Sequence, residues 1–258
     1  MKFAKTLTAI ALAVVSTSAM AEIEFSFDRP GTGFGTGITP VGKLSWEQGL
    51  PTFNYTVTND NGVKTKDLTL QSDVMLRTGL MKGLELQVGW DGPIWQKTNV
   101  DGVKTEIDGL GDMSVGLKKT FDLNDDKFAW AILAQANLAT GNDEFTADAD
   151  TYTLGSSVEY AYNDLVTPSI SMFYGKQEGQ GWTVTAVPTI GYNFTEKLSG
   201  SSEFVYSKTE SEKAVKSLGT SLIYNPTERV QLDATVGLTL NDDSHRNYNG
   251  GLGVAFLF

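Results

Sequence analysis

From about residue 43 to the C-terminus, apolar and polar positions alternate with a period of two, in short runs separated by turn residues. In VQLDATVGLTL, Val230, Leu232, Ala234, Val236, Leu238 and Leu240 fall on one face. Gln231, Asp233, Thr235, Gly237 and Thr239 fall on the other. The chain end repeats the pattern, with Tyr248, Leu252, Val254, Phe256 and Phe258 alternating with Asn249, Gly251, Gly253 and Ala255. Leu84, Leu86, Val88 and Trp90 likewise oppose Glu85, Gln87 and Gly89. Period two specifies strands with two unlike faces, not helices. The runs lie near 43–55, 68–80, 83–95, 111–121, 127–140, 151–162, 165–175, 182–194, 198–207, 215–225, 229–240 and 248–258. That makes about twelve strands, an even number like those of bacterial single-chain barrels.

The connections are of two kinds. Met81-Lys82, DLNDD, Asn163-Asp164, Thr195-Glu196-Lys197 and NPTE are tight. TNDNGVKTK, KTNVDGVKTEIDGLG, GNDEFTADAD, KQEGQG, KTESEKAV and NDDSHRN alternate with them and are longer and more polar. Short periplasmic turns and longer external loops predict that rhythm; a Greek-key sandwich does not. Aromatics gather at both levels: Phe121, Phe128, Trp130, Tyr160, Tyr192 and Phe256 by the tight turns, Phe53, Trp90, Trp95, Tyr174, Tyr206 and Tyr248 by the long loops. Two aromatic belts around an aliphatic band match a membrane slab. The expected fold is all-β, a transmembrane antiparallel up-and-down β-barrel with both termini periplasmic. Lys119 falls on the outward face near a turn, and Pro188 predicts a bulge, because proline removes a ladder donor.

The first residues sharpen the compartment. Lys2 and Lys5, an apolar run from Leu7 to Val15, and Ala19-Met20-Ala21 form a cleavable export signal over residues 1–21. That run falls short of the roughly 20 apolar residues of a spanning helix. The remainder divides into a glycine-rich leader, 22–42, and the barrel, 43–258. The net charge of −11 disfavours nucleic acid as a partner. Zero cysteine removes disulfides, thiolate metal sites and cysteine nucleophiles.

The leader spells G-x-G-x-G-x-G from Gly31 to Gly37, but neither a βαβ unit nor a Walker lysine accompanies it. Two readings stand: a disordered periplasmic segment, or a plug inside the lumen with Asp28 and Arg29 paired against barrel charges. The order of motifs in DRPGTGFGTGITPVGKLSWEQG, with GLGDMSVGLKKTF and a terminal phenylalanine, resembles the outer-membrane transporters grouped with the meta-pathway of phenol degradation. The resemblance spans most of the chain after the signal. It implies a transporter-type barrel in the outer membrane and aromatic or other small organic solutes; it supplies no catalytic residue. Phe258, following Phe256 at alternate spacing, resembles the signal that barrel-assembly machinery reads.

If apolar positions face lipid, the alternate positions face the lumen: Glu47, Asp73, Arg77, Glu85, Lys118, Glu159, Glu203 and Asp233. Acids outnumber bases there, so a negative interior favouring cations is expected, with bracing networks as the blander reading. Met75, Leu133, Phe173, Val187, Val205 and Ile223 share that face and could pack against a plug or guide hydrophobic solutes. His245 follows Asp242, Asp243 and Ser244 in one loop, a poor frame for a hydrolytic triad. No catalytic residue, metal or cofactor is expected. The leading reading is an outer-membrane pore or transporter for small aromatic or hydrophobic solutes, with membrane lipid, lipopolysaccharide and assembly machinery as partners. The alternatives are a closed structural or adhesive barrel acting through its external loops, and, as a minor reading, a surface hydrolase.

Overall fold

The computed structural model describes residues 25–240 and 245–258. The export signal and Asp242, Asp243 and Ser244 lie outside the described residues. Fifteen strand segments follow one another: β1 (Leu44–Asp60), β2 (Val63–Gln71), β3 (Val74–Met81), β4 (Leu84–Trp90), β5 (Pro93–Val100), β6 (Val103–Leu110), β7 (Met113–Phe121), β8 (Phe128–Leu138), β9 (Thr151–Tyr160), β10 (Val166–Gln177), β11 (Trp182–Asn193), β12 (Leu198–Thr209), β13 (Val215–Thr227), β14 (Val230–Thr239) and β15 (His245–Leu257). Each pairs antiparallel with its neighbours, and β15 returns to pair with β1 from Ser45↔Leu257 to Thr58↔His245. Phe258 extends the seam by exchanging backbone hydrogen bonds with Leu44. Closure removes the unpaired strand edges that hydrocarbon does not tolerate.

Fifteen segments make twelve staves. β2 and β3, β4 and β5, and β6 and β7 are each one stave broken in the middle; β3, β4 and β7 complete the ring, and β2, β5 and β6 continue upward beside the upper half of β1. The breaks fall at Ser72-Asp73, Asp91-Gly92 and Gly111-Asp112, beside a register shift between Gly49 and Thr52 in β1. Gly92 has φ +71°, and a Cβ there would sit 1.9 Å from the Ser72 carbonyl oxygen, so the bend has no room for a side chain. One wall therefore stands taller than the rest.

The height of that wall differs from the expectation of loops. TNDNGVKTK and much of KTNVDGVKTEIDGLG are strand, joined by two-residue turns at Asn61-Gly62 and Asp101-Gly102. All four turn residues have positive φ, the geometry of the type I′ turn that Asn-Gly and Asp-Gly favour. Pro188 also departs from expectation. It pairs with Ile170 without a register shift, and the pairing of β11 with β12 pauses between Ala186 and Thr189. The missing donor is thus absorbed by a ladder gap, not a bulge. Lys119 reaches the carbonyl of Lys82 in the adjacent turn, as a snorkelling lysine does.

The outward face is apolar and exposed: Leu154 and Leu252 keep 55% and 58% of their surface, Val236 58%. A soluble protein does not leave a continuous band of that kind open to water. At the short-turn end, Phe121 stacks on Trp130 at 4.4 Å and Phe128 lies 4.7 Å from Tyr160, building one aromatic girdle. The chain is a membrane-spanning β-barrel.

Candidate functional site: the lumen and its N-terminal segment

The lumen-facing side chains come from alternate positions of each stave, and the sequence-derived set converges there. Arg77, Glu47, Glu85 and Lys118 are fully buried, and Asp233 nearly so. They are buried because residues 25–43 run inside the ring, among them. An isolated buried charge is costly, so each needs a partner.

Arg77 is the hub. Its guanidinium lies 2.6 Å from Glu47, 2.8 Å from Glu85 and 3.5 Å from Asp28, and donates to the carbonyl oxygens of Ser26 and Gly37. Lys118 pairs with Asp28 at 2.8 Å and Glu85 at 3.3 Å. Arg29 lies 2.9 Å from Asp73, at the break between β2 and β3, and 3.5 Å from Asp233 on β14. Of the inward-facing acids, Asp73 and Asp233 pair only with Arg29 of the N-terminal segment, and Glu159 and Glu203 form no ion pair among the described residues.

Their partners are backbone amides of the N-terminal segment. The N–H of Thr36 donates to Glu159 at 2.7 Å, that of Thr32 to Glu203 at 3.0 Å, and that of Thr39 to Glu85 at 2.7 Å. The N–H groups of Asp28 and Arg29 both donate to Glu47. An irregular segment has no ladder of its own, so its donors must be met from outside. Carboxylates on facing staves meet them with charge-assisted hydrogen bonds. The acid surplus is therefore largely engaged, and the expectation of a freely negative interior is corrected to that extent.

Neutral contacts that the charge-based reading passed over complete the seat. Ser171 Oγ accepts from Phe34 N, Gln231 donates to the Arg29 carbonyl, and Thr120 donates to the Thr36 carbonyl. Their signal was present as lumen-facing parity in β10, β14 and β7, but without charge they did not stand out. Phe34 packs on Phe173, 5.5 Å between ring centroids, with Ala131 and Leu133 completing an apolar patch. Gly79 lies against the segment so closely that a Cβ would meet the Thr39 carbonyl oxygen at 2.3 Å.

Toward the tall end the lining changes. Asn54, Thr56 and Asn247 bond to one another, Thr98 to Asp67, Thr185 to Ser207 and Gln135 to Asn137. Most are uncharged hydroxyls and amides. Residues 139–150 fold against β6: the Asp112 carboxylate accepts from the N–H groups of Thr140, Gly141 and Ala147 and the Thr146 hydroxyl. A cavity of about 740 Å³ lies at the wall breaks, lined among others by Leu70, Ile94, Trp95, Leu110 and Asn142. No group of three or more metal-ligating side chains occurs among the described residues. Nothing is described of the His245 side chain.

Residues 27–258 match the family described as "Putative MetA-pathway of phenol degradation". No curated protein matches the chain by sequence. Among solved structures, the barrel is similar to the COG4313 outer membrane channel from Pseudomonas putida F1, with a TM-score of 0.64 and 12% identity over 89% of this chain and 99% of that one. The KdgM porin matches at TM-score 0.51 and 12% identity, over 80% of this chain and 98% of its own. A monoaromatic hydrocarbon channel, the TodX deltaS2S3 mutant, matches at 0.50 and 9%, over 85% and 91%. At these identities the likeness is one of fold.

Proposed function

The chain belongs to this phenol-degradation family, and we propose that it is an outer-membrane pore for small organic solutes, aromatic ones included, narrowed by its own N-terminal segment. The observation that carries this reading is the seat of residues 25–43. Strand carboxylates and bases from opposite walls hold the segment across the lumen. Such a plug leaves a restricted path rather than an open aqueous channel. The patch of Phe34, Leu133 and Phe173 offers that path an apolar surface, and the tall end adds uncharged hydrogen-bonding groups. Together they suit a small ring bearing a hydroxyl better than a strongly charged solute. That a barrel of similar fold is a monoaromatic hydrocarbon channel supports the same reading.

In this reading the short-turn end, with both termini, faces the periplasm, and the tall end faces outward. Phe256 and Phe258, 6.2 Å apart on the lipid-facing side, present the assembly signal. The protein has no catalytic role. The test is conductance and solute uptake by the folded mature protein in planar bilayers and liposomes. Small ion currents with uptake of phenol are expected. Absence of both current and uptake overturns the pore and favours a closed barrel acting through its loops.

A further inference from the structure

The outer face of the tall wall reverses the charge balance of the chain. On β15, Gly253 lies against Arg29 and so faces the lumen; Arg246, an odd number of residues away on the same strand, faces outward. Residues directly opposite in an antiparallel pair share a face. Arg246 pairs with Val57, Val57 with Lys66, Lys66 with Asn99, and Asn99 with Lys104. Lys64 lies two residues from Lys66, and Lys97 pairs with Glu106 on the same side. Five bases thus share an outward patch with three acids, Glu106, Asp108 and the turn residue Asp101, whose carboxylate accepts from the Lys64 N–H, in a chain of 20 Lys and Arg against 31 Asp and Glu.

The patch sits directly above the lipid-facing band. Tyr55, Leu68 and Tyr248 occupy the same face one step nearer the membrane, in the row of Lys97, and Trp95 lies beside Leu70 one step lower; one two-residue step is roughly 6.6 Å. Lys97 Nζ stands 6.0 Å from the Trp95 ring centroid, which bridges the two levels. Lys64, Lys66, Lys104 and Arg246 are exposed. Ammonium groups at the headgroup level, over an apolar and aromatic surface, match a lipid with acyl chains below and phosphates at the interface.

We propose that this wall is a docking site for the phosphorylated glycolipid of the outer leaflet, the lipid A part of lipopolysaccharide. Its acyl chains would lie on Leu68, Leu70 and Trp95, and its phosphates on Lys64, Lys66 and Lys104. The proposal rests on the tall end facing outward. It differs from the usual bridging of acidic surfaces by divalent ions, because lysines take phosphate directly. The site tethers the barrel laterally and holds the tall hairpins upright.

The test uses the folded mature protein in detergent with bis-phosphorylated lipid A, the same lipid without phosphates, and inorganic phosphate, read by native mass spectrometry. Lipid A is expected to bind in the presence of EDTA, the dephosphorylated lipid weakly, and phosphate not at all. Each base near an anionic surface contributes enough that K64Q/K66Q/K104Q should weaken binding by at least about tenfold, with K64R/K66R/K104R restoring it. Conductance should match the unmodified protein, so a failed pore and a failed docking site are distinguishable. Neutralising Lys176, Lys208 and Lys216 on other staves should change binding far less. Equal binding by the glutamine variant, or binding abolished by EDTA, overturns the proposal. Heat-shifted electrophoretic migration verifies folding; if the glutamine variant does not fold, binding by the unmodified protein that is indifferent to salt overturns it equally.

Discussion

The two halves of the lumen solve the same problem in opposite ways. Near the short turns, strands supply charges and an irregular segment supplies backbone donors, so the interior is filled by a network in which Arg77, Glu47, Glu85, Lys118 and Asp28 depend on one another. Near the tall end, hydroxyls and amides satisfy one another across adjacent staves, as in Thr185 with Ser207 and Thr183 with Thr209. A charged group cannot be left alone in a narrow space, whereas a hydroxyl can exchange a neighbour for water at small cost. The lower half is thus committed to its occupant, and the upper half, in the proposed reading, is the part that hosts a passing solute.

The largest effect should come from removing the occupant. Deleting residues 25–42 is expected to raise single-channel conductance several-fold and to make the pore cation-selective, since Glu47, Glu159, Glu203 and Asp233 lose their amide and guanidinium partners. Reversal potentials in planar bilayers measure this, and unchanged conductance would break the contrast between the halves. Next, Arg77→Leu leaves the buried Glu47 without its base and Glu85 with Lys118 alone, which costs about 3–5 kcal/mol. A lowered urea midpoint and faster amide exchange at Thr36 and Thr39 are the readouts.

Arg29→Gln should be milder. It removes the pairs to Asp73 and Asp233; Asp73 is one-third exposed, so water can replace the lost partner there, and the buried Asp233 keeps the Gln231 amide. Increased flicker of the open current with little loss of stability is expected. Smaller still, replacing Glu85 and Asp233 with glutamines should barely alter ion selectivity in the intact protein but reduce it clearly in the deletion. Equal effects in both backgrounds would mean that the segment does not mask these acids. Smallest is Gly62→Val at the φ +86° turn position, a strained substitution costing about 1 kcal/mol. It should disturb only the β1–β2 hairpin and leave conductance as it is.

The staves were legible because their cause is local. Leu232, Ala234 and Val236 face lipid while Gln231, Asp233 and Thr235 face inward, and a strand fixes that division by itself. The tall wall was only half legible: Asn61-Gly62 and Asp101-Gly102 carry a hairpin signal, but their charged flanks read as loops. Whether Lys66 and Lys104 belong together was not legible, since they meet only through Asn99 on β5.

Strand period, the order of tight and long connections and the choice of lumen-facing residues follow from the amino-acid order alone, because each depends on neighbours one or two positions away. Where residues 25–43 go, and what the inward acids do, is settled only in the closed ring. That segment has no periodicity, and its amides find acceptors on β1, β4, β9, β10 and β12, which come together only once the ring has closed. Long-range charge and backbone donors had to be matched in space, and no local pattern encodes that match.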